Sequence, residues 1–470
     1  MLRDTAARWI GKARWIGLLL AAAALAVAGC GAREPLSRPS VLLITLDTTR
    51  ADHLGMYGAA RPTSPRLDEL SRESAVYERA YAPSTWTLPS HASLFTGKYP
   101  KSHGARYDEN GPLVLGDAIA GPANWKRIRA RSLASGERTL AGLLGAAGYR
   151  TGAVVGGPWM KRVFGLDRGF EHYDDSGIER LNGRLAGSVT DAAIAWVESL
   201  HGQPFLLFLN YYDPHTPFNP PSGFVSAVAS PEERPHGAAR NQRELDILYD
   251  AEIRYMDSQI GRLLDRLREL GLYRDLWIIV TADHGELLGE HGLTGHGRTL
   301  YEGELRVPLL VKPSRGDAPT GRLRERVQLT DLFPMILQRV GVAVPADTQG
   351  VFPRGDRPAI AEVDPVPDAG PATNWRAILD GDEKFLESSA GDRLLFDLAR
   401  DPAEAHELAA ERPERASALA RVLASSFAAL PEAPAAGLEA RSVDAETQRA
   451  LESLGYLKAP EAGRAAQPQP

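Results

Sequence analysis

Four side chains that lie far apart in the sequence could share one piece of chemistry: Asp47, Thr87, Asp283 and His284. Two carboxylates, a hydroxyl and an imidazole make a ligand set for one hard divalent cation. The oxygens suit Mg, Mn or Ca, and the imidazole tolerates Mn or Zn. A hydroxyl held on such a cation loses its proton more readily and becomes a nucleophile. Thr87 opens the stretch Thr87-Leu88-Pro89-Ser90-His91-Ala92-Ser93-Leu94-Phe95-Thr96-Gly97, which reads as a short loop turning into a helix. A helix start offers free backbone N–H groups and the positive end of the helix dipole, both favourable to an anionic ester. The set implies a metal-dependent hydrolysis in which Thr87 attacks the phosphorus or sulfur of such an ester. Each residue alone has a plainer reading: a Thr before Leu-Pro-Ser caps a helix, and Asp-His-Gly makes a turn. The four together, with both Asp residues at the ends of apolar runs, favour the chemistry.

A second ring of polar side chains accompanies them. His215 follows an apolar run in Asn210-Tyr211-Tyr212-Asp213-Pro214-His215-Thr216, and His291 and His296 lie in the Gly-rich stretch 289–297. His215 and His296 are candidates to protonate a leaving group. Ser90, His91 and His291 are candidates to hold the non-bridging oxygens of the substrate. A second metal, with Asp213 as a ligand, is compatible with the same residues. His53, His103, His172, His201, His236 and His406 read as ordinary loop histidines, with His103 as a candidate for the rim of the site.

The elements that must position these groups alternate in kind. Ser40 to Leu46, Tyr149 to Val155, Phe205 to Tyr211, Leu276 to Thr281 and Val307 to Val311 are apolar runs of strand length. Helical spacing covers Pro65 to Ala75, Glu137 to Ala147, Val189 to Leu200 and Thr330 to Val340, and Asn241 to Leu270 forms a long amphipathic helix. Such alternation predicts an α/β fold with a central, mostly parallel sheet flanked by helices. In open sheets of that kind ligands gather at the carboxyl ends of strands, where Asp47 and Asp283 stand. After about Gln349 the pattern becomes short strands with tight turns (Trp375–Leu379, Gly381–Leu386, Arg393–Leu398). This predicts a small antiparallel subdomain, followed by a helical segment over Glu404 to Ala429.

The chain has 470 residues, enough for one large domain and a smaller one. Its net charge of −6 and lack of a long basic run argue against nucleic acid as a partner. With one cysteine, Cys30, neither a disulfide framework nor a zinc–thiolate site is available within the chain. The first residues read as a targeting segment: Arg3, Arg8, Lys12 and Arg14, then an apolar run from Trp15 to Ala28, too short for a comfortable membrane span of about 20 residues. That run ends in Val27-Ala28-Gly29-Cys30, which resembles the lipobox of bacterial lipoproteins. The resemblance implies cleavage before Cys30, lipid on its sulfur as a membrane anchor, and, with Gly31 next, a place on the outer membrane facing the periplasm. The expected organisation is a signal peptide over 1–29, a tether over 30–39, the catalytic domain over 40–348, the antiparallel subdomain with its helix over 349–430, and a partly disordered tail over 431–470.

Several stretches together are similar to the sulfatase family, within the alkaline phosphatase superfamily. Leu46-Asp47-Thr48-Thr49-Arg50-Ala51-Asp52-His53-Leu54-Gly55-Met56-Tyr57-Gly58 resembles its opening motif, and Pro89-Ser90-His91-Ala92-Ser93-Leu94-Phe95-Thr96-Gly97-Lys98-Tyr99-Pro100 its nucleophile signature. Thr281-Ala282-Asp283-His284-Gly285-Glu286, Tyr301-Glu302-Gly303, Leu395-Phe396-Asp397-Leu398 and Asp401-Pro402-Ala403-Glu404 resemble its later motifs in the expected order. The resemblance implies a central sheet, a small C-terminal antiparallel sheet and a divalent-metal site.

The departures point away from sulfate chemistry. Sulfatases carry Cys or Ser at the position of Thr87 and oxidise it to formylglycine, a route closed to Thr. The Arg that supports formylglycine is His91 here, and the second Asp of the usual pair is Thr48. The Lys-x-His pair is absent from Thr151-Gly152-Ala153-Val154-Val155-Gly156-Gly157, and the later substrate Lys is His296. An unmodified Thr is similar to the nucleophile of the phosphodiesterase and phosphoglycerol transferase branches. The expected activity is therefore phosphoester or phosphonate hydrolysis, or phosphoryl transfer, through a covalent Thr87 intermediate. Sulfate-ester hydrolysis is the second reading, and a non-catalytic lipid-anchored binding protein the third. The expected partners are a small-molecule, glycan or lipid-head-group ester and the membrane that holds Cys30.

Overall fold

A run of apolar residues folds as a strand when both of its faces are covered. The centre of this molecule is built that way. The computed structural model describes residues 38–433 except 109–110, 112, 115–128, 179–182, 236, 238, 240, 316–320 and 365–372. Eight strands make the main sheet: β1 (Val41–Leu46), β2 (Ala75–Tyr81), β3 (Arg150–Val155), β4 (His172–Asp174), β5 (Phe205–Tyr211), β6 (Trp277–Thr281), β7 (Arg306–Lys312) and β8 (Gly321–Gln328). Their order is β8-β2-β7-β6-β1-β5-β3-β4. Only β7 is antiparallel to its neighbours; the other pairings are parallel.

β1 lies between β5 and β6, and its six residues are fully buried. Truncating one of its large side chains, such as Ile44, to Ala should cost about 2–5 kcal/mol. The register sets the site. Thr45 lies opposite both Asn210 and Thr281, and Leu46 lies opposite Tyr211. Asp47, Tyr212 and Asp283 therefore leave three adjacent parallel strands along one carboxyl edge.

Helices flank the sheet: α1 (Pro65–Ser71), α2 (Thr87–Thr96), α3 (Leu140–Ala146), α4 (Ala186–Glu198), α5 (Gln242–Glu269) and α6 (Leu329–Arg339). The Asn241 side chain caps α5 by accepting from the Glu244 amide. The buried stripe of α5 runs Ile253, Met256, Ile260, Leu263, Leu264 and Leu267, the spacing of one helix face. α2 is buried at every residue. It ends at Gly97 in the left-handed conformation, where a Cβ would come within 2.7 Å of the Phe333 ring on α6.

A second sheet, β9 (Ala359–Val363), β10 (Trp375–Asp380), β11 (Glu383–Ser388) and β12 (Arg393–Asp397), is antiparallel in sequence order. Helix α7 (Pro413–Ala429) covers it with Ala416, Leu419, Ala420, Leu423 and Phe427, packed on Ile360, Ile378, Phe385, Leu395 and Tyr99.

Some expectations from the sequence need correction. The helix predicted to reach Ala75 stops at Ser71, and Ala75–Tyr81 is strand β2. The helix predicted from Glu404 starts only at Pro413; Glu404 itself sits at φ 56° in a turn. The stretch 104–136, whose polar, Gly-rich and aperiodic sequence reads as a surface excursion near the rim of the site, includes in its described parts a three-stranded sheet (Arg106–Tyr107, Leu113–Val114, Arg129–Arg131) in which Ala130 is buried. The targeting segment with Cys30, most of the tether, and the tail beyond 433 lie outside the described residues.

Candidate active site

Asp47 follows β1 with its amide donating to the Tyr211 carbonyl at 2.8 Å. The next residue, Thr48, takes φ 52°, an uncommon conformation for a β-branched side chain. Its surroundings hold it there. The Thr48 amide donates to Asp283 Oδ1 at 3.2 Å, its hydroxyl to the Pro214 carbonyl at 2.9 Å, and its carbonyl accepts from the Tyr249 hydroxyl at 2.7 Å. One residue thus ties the ends of β1, β5 and β6 together.

Asp47, Asp283 and His284 converge, each offering a ligand atom within 4.8 Å of the others, and all are buried. Two carboxylates at that spacing repel by roughly 3–4 kcal/mol at an effective dielectric of about 20. Burial first, and the neighbouring Asp283 second, push the Asp47 carboxyl well above the usual carboxylate range. Asp47 Oδ1 and Asp283 Oδ2 are buried without a hydrogen-bond partner. Asn210 secures the other Asp47 oxygen, donating from Nδ2 to Oδ2 at 3.2 Å while its Oδ1 accepts from the Gly157 amide at 2.8 Å. His284 Nδ1 is 2.9 Å from the Gly285 carbonyl. That partner can only accept, so Nδ1 carries the proton and Nε2 presents its lone pair. Buried orphaned carboxylate oxygens facing an imidazole lone pair are the donor set that a divalent cation satisfies. The residues fit the metal that the sequence implies.

Thr87 joins this set. It is the first residue of α2, and its hydroxyl makes no cap bond; Oγ1 lies 3.3 Å from His284 Nε2. The plain reading of Thr87 as a helix cap therefore fails. Pro89 lacks an N–H, so the free amides of the first turn are those of Thr87 and Leu88.

The histidine ring is partly assembled. His296 lies with its ring 4.5 Å from that of His284 and 4.9 Å from that of His215. Glu286 holds His296 through Nδ1 at 2.9 Å, and His215 Nδ1 meets the Thr216 carbonyl at 2.7 Å. Both imidazoles thus keep Nε2 unengaged. Burial pushes His296 down to about 4, His215 down to about 3 and the Glu286 carboxyl up to about 7.

Five sequence candidates belong elsewhere. His91 is fully buried with both nitrogens engaged: Nδ1 with the Thr87 carbonyl at 2.8 Å and Nε2 with the Thr45 hydroxyl at 2.9 Å. It holds α2 on β1 and has no atom left for substrate. Ser90 spends its hydroxyl on the Asp283 carbonyl at 2.6 Å. His291 is exposed and stacks on Tyr301 at 3.8 Å, with no contact to the Thr87 cluster. His103, a rim candidate, is buried against the Ser93 hydroxyl at 2.9 Å. Asp213 Oδ1 accepts from the Ala186 amide at 3.1 Å, and Asp213 is not among the grouped metal ligands. Conversely, sequence reasoning assigned no role to Asn210 or Glu286. Asn210 alone carries a signal, as the polar residue within the apolar run of β5.

Comparison with known proteins agrees with this geometry. The sulfatase family profile matches residues 39–342, more than half of the chain. The chain is 24% identical over 421 residues to an ulvan-active sulfatase of Formosa agariphila, covering 80% of this chain and 78% of that protein. It is 26% identical over 492 residues to the multifunctional alkaline phosphatase superfamily protein PehA of Trinickia caryophylli, with coverage of 80% and 92%. Among solved structures it resembles the phosphonate monoester hydrolase of Agrobacterium radiobacter, with TM-score 0.66, 20% identity, and 83% of this chain and 96% of that chain covered. Metal dependence is general in this family, and the buried Asp47–Asp283–His284 group is its candidate seat here. The chain belongs to the sulfatase family, in the alkaline phosphatase superfamily, and is one of its ester hydrolases.

Proposed function

We propose that this protein hydrolyses, or transfers the phosphoryl group of, a phosphodiester, phosphonate or phosphomonoester, with unmodified Thr87 as the nucleophile. The carrying observation is the identity and setting of Thr87: a side chain closed to formylglycine formation, with Oγ1 beside the lone pair of His284. Asp47, Asp283, His284 and Thr87 would hold one divalent metal, of the Mg, Mn, Ca or Zn class. When bound, the metal lowers the hydroxyl pKa of Thr87 and neutralises charge on the ester. Thr87 Oγ1, its proton released to water, forms a bond to phosphorus as the bond to the leaving alcohol breaks. His296 gives that alcohol a proton from Nε2 while its Nδ1 takes one from the Glu286 carboxyl, which burial raises to about 7; His215, with its Nδ1–H on the Thr216 carbonyl, presents a lone pair beside it. Water or an acceptor alcohol then attacks the Thr87 phosphoester and releases the product, restoring the hydroxyl.

A sulfate ester is the second reading, supported by the named activity of the Formosa relative. A sulfo-threonine lacks the aldehyde-forming exit that a formylglycine hydrate offers, so phosphorus is preferred. The test is a substrate panel of nitrophenyl phosphate, bis-nitrophenyl phosphate, nitrophenyl phenylphosphonate and nitrophenyl sulfate, with Thr87→Ala as control. Activity on the phosphorus esters that disappears in the variant supports the proposal; activity confined to the sulfate overturns it. The Val27–Cys30 motif supports a lipid-anchored enzyme on the outer membrane facing the periplasm, which radiolabelled fatty acid incorporation into wild type but not Cys30→Ala would test.

A further inference from the structure

Glu304 is fully buried, and its Oε1 has no hydrogen-bond partner. Its main chain and its side chain hold different parts of the site. The Glu304 carbonyl accepts from the Gly285 amide at 2.7 Å, directly after the candidate metal ligands Asp283 and His284. A Cβ on Gly285 would fall 2.0 Å from the Gly303 carbonyl oxygen, so the two segments touch and only glycine fits there. On the other side, Glu304 Oε2 accepts from the Thr299 hydroxyl, and the amides of Arg298 and Gly297 face the same carboxyl. Those three residues directly follow His296. The Thr299 carbonyl in turn accepts from the Thr85 hydroxyl at 2.8 Å, two residues before Thr87. Burial raises the Glu304 carboxyl to about 8, against the pull of Thr299 and the two amides. A buried carboxyl with one oxygen unsatisfied costs stability that an apolar side chain of its size would not. Packing alone does not require it.

We propose that Glu304 is a positioning residue: by holding Thr299 with its carboxylate and Gly285 with its carbonyl, it fixes the His296–Thr299 segment against the His284 turn and so sets where His296 delivers its proton. The proposal rests on the Thr87 site being an ester site in which His296 protonates the leaving alcohol. Glu304 itself touches neither substrate nor the reacting atoms. Glu286 orients the His296 ring through Nδ1, whereas Glu304 fixes the backbone that carries it. The ring stands 4.5 Å from that of His284, and Glu304 spans the two segments that present them. Misplacing a catalytic group by about 1 Å costs up to about a hundredfold in rate. Attack by Thr87 and metal binding do not use the Thr299 bond, so its loss falls on protonation of the leaving group and grows with the basicity of that group.

The test compares metal-loaded full-length wild type with Glu304→Leu and Thr299→Val on two esters of the same acid, one releasing nitrophenol and one the more basic phenol. The pair is a phosphorus or a sulfate pair, whichever wild type cleaves, so failure of the phosphorus reading does not decide the role of Glu304. Positioning predicts kcat on the phenyl ester lower by about 10- to 100-fold in each variant, and by about threefold or less on the nitrophenyl ester. KM should stay near that of wild type, and the two changes combined should cost no more than either alone, because they remove one bond. Equal losses on the two esters, or no loss on the phenyl ester, would overturn the role of Glu304 while leaving the Thr87 reading intact. A wild type that cleaves neither phosphorus nor sulfate esters would sink both. If Glu304→Leu does not fold, Thr299→Val decides, since it removes the same bond at a half-buried loop residue.

Discussion

At the carboxyl edge of the main sheet, Asp47 and Asp283 are 0% and 1% exposed, sit within 4.8 Å of one another, and each keeps an oxygen without a partner. Where the second sheet meets the first, Lys384 is equally buried but lies 3.1 Å from Glu302 and 2.8 Å from Glu404. Arg354 likewise reaches both oxygens of Asp331 at 2.6 Å. Taking a charge out of water costs several kcal/mol unless it is paired. The second region offsets that cost within the chain through opposite charges: Glu404 Oε1 has no hydrogen bond of good geometry, yet it lies against the Lys384 ammonium. The first brings two carboxyls together with no cation from the chain between them, so Asp47 is driven to hold a proton, whose place a metal ion would take. Depth of burial is the same in both; satisfaction separates a structural joint from a site.

Substitutions should separate the two regions sharply. Thr87→Ala, which removes the proposed nucleophile but no charge, should lower kcat/KM by about ten-thousand-fold or more, with thermal stability unchanged. Asp283→Asn should abolish stoichiometric metal by elemental analysis and cut activity by about a thousandfold. In the metal-free state it should melt no lower than wild type, because a repulsion has been removed. Lys384→Met should do the reverse: a loss of about 3–5 kcal/mol in denaturant unfolding, with metal content and activity per folded molecule retained. A Lys384→Met protein as stable as wild type would erase the contrast.

The smallest effect is on pH. Burial raises the carboxyls of Glu286 and Asp213 to about 7 and Glu304 to about 8. The folded chain then holds protons that the unfolded chain has already released, so stability falls as pH rises towards those values. The depressed imidazoles of His215 and His296 act oppositely, but only from about 3 to about 6.5, their folded and unfolded values. Between pH 6.5 and 8 the carboxyls act alone. Metal-stripped protein should lose stability across that window at about 1.4 kcal/mol per pH unit for each proton involved. Added metal should stabilise most at the alkaline end, where its ligands are deprotonated. A melting temperature that rises from pH 6.5 to 8 without metal would contradict this.

How much of this could be read from the sequence depended on where each residue sits. β1, β5 and β6 were legible because strands covered on both faces are continuous apolar runs, and their ends pointed to Asp47 and Asp283. β2 and β8 escaped because they lie towards the sheet edge and carry charge: in β8 the residues from Gly321 to Arg324 are exposed. Glu404 to Arg412 has helix-forming composition, yet the Glu404 carboxylate is drawn to Lys384 and to the Glu302 amide at 2.6 Å, and tertiary contacts override propensity. His91 misled for a related reason. Its type suggests substrate contact, and only the packing of α2 on β1 reveals that Thr45 and the Thr87 carbonyl use both nitrogens. The role of Glu286 was hidden because its partner, His296, acquires meaning only in three dimensions.

The central claim is that an unmodified Thr87 carries the transferred group. Its most direct test is acid quench of the metal-loaded enzyme during turnover of a phosphorus ester, followed by mass spectrometry of the peptide spanning 80–100. The account predicts a phosphoryl adduct on Thr87 that is absent before substrate and absent in Thr87→Ala. A peptide unmodified at Thr87 throughout turnover, or an adduct on another residue, would contradict it.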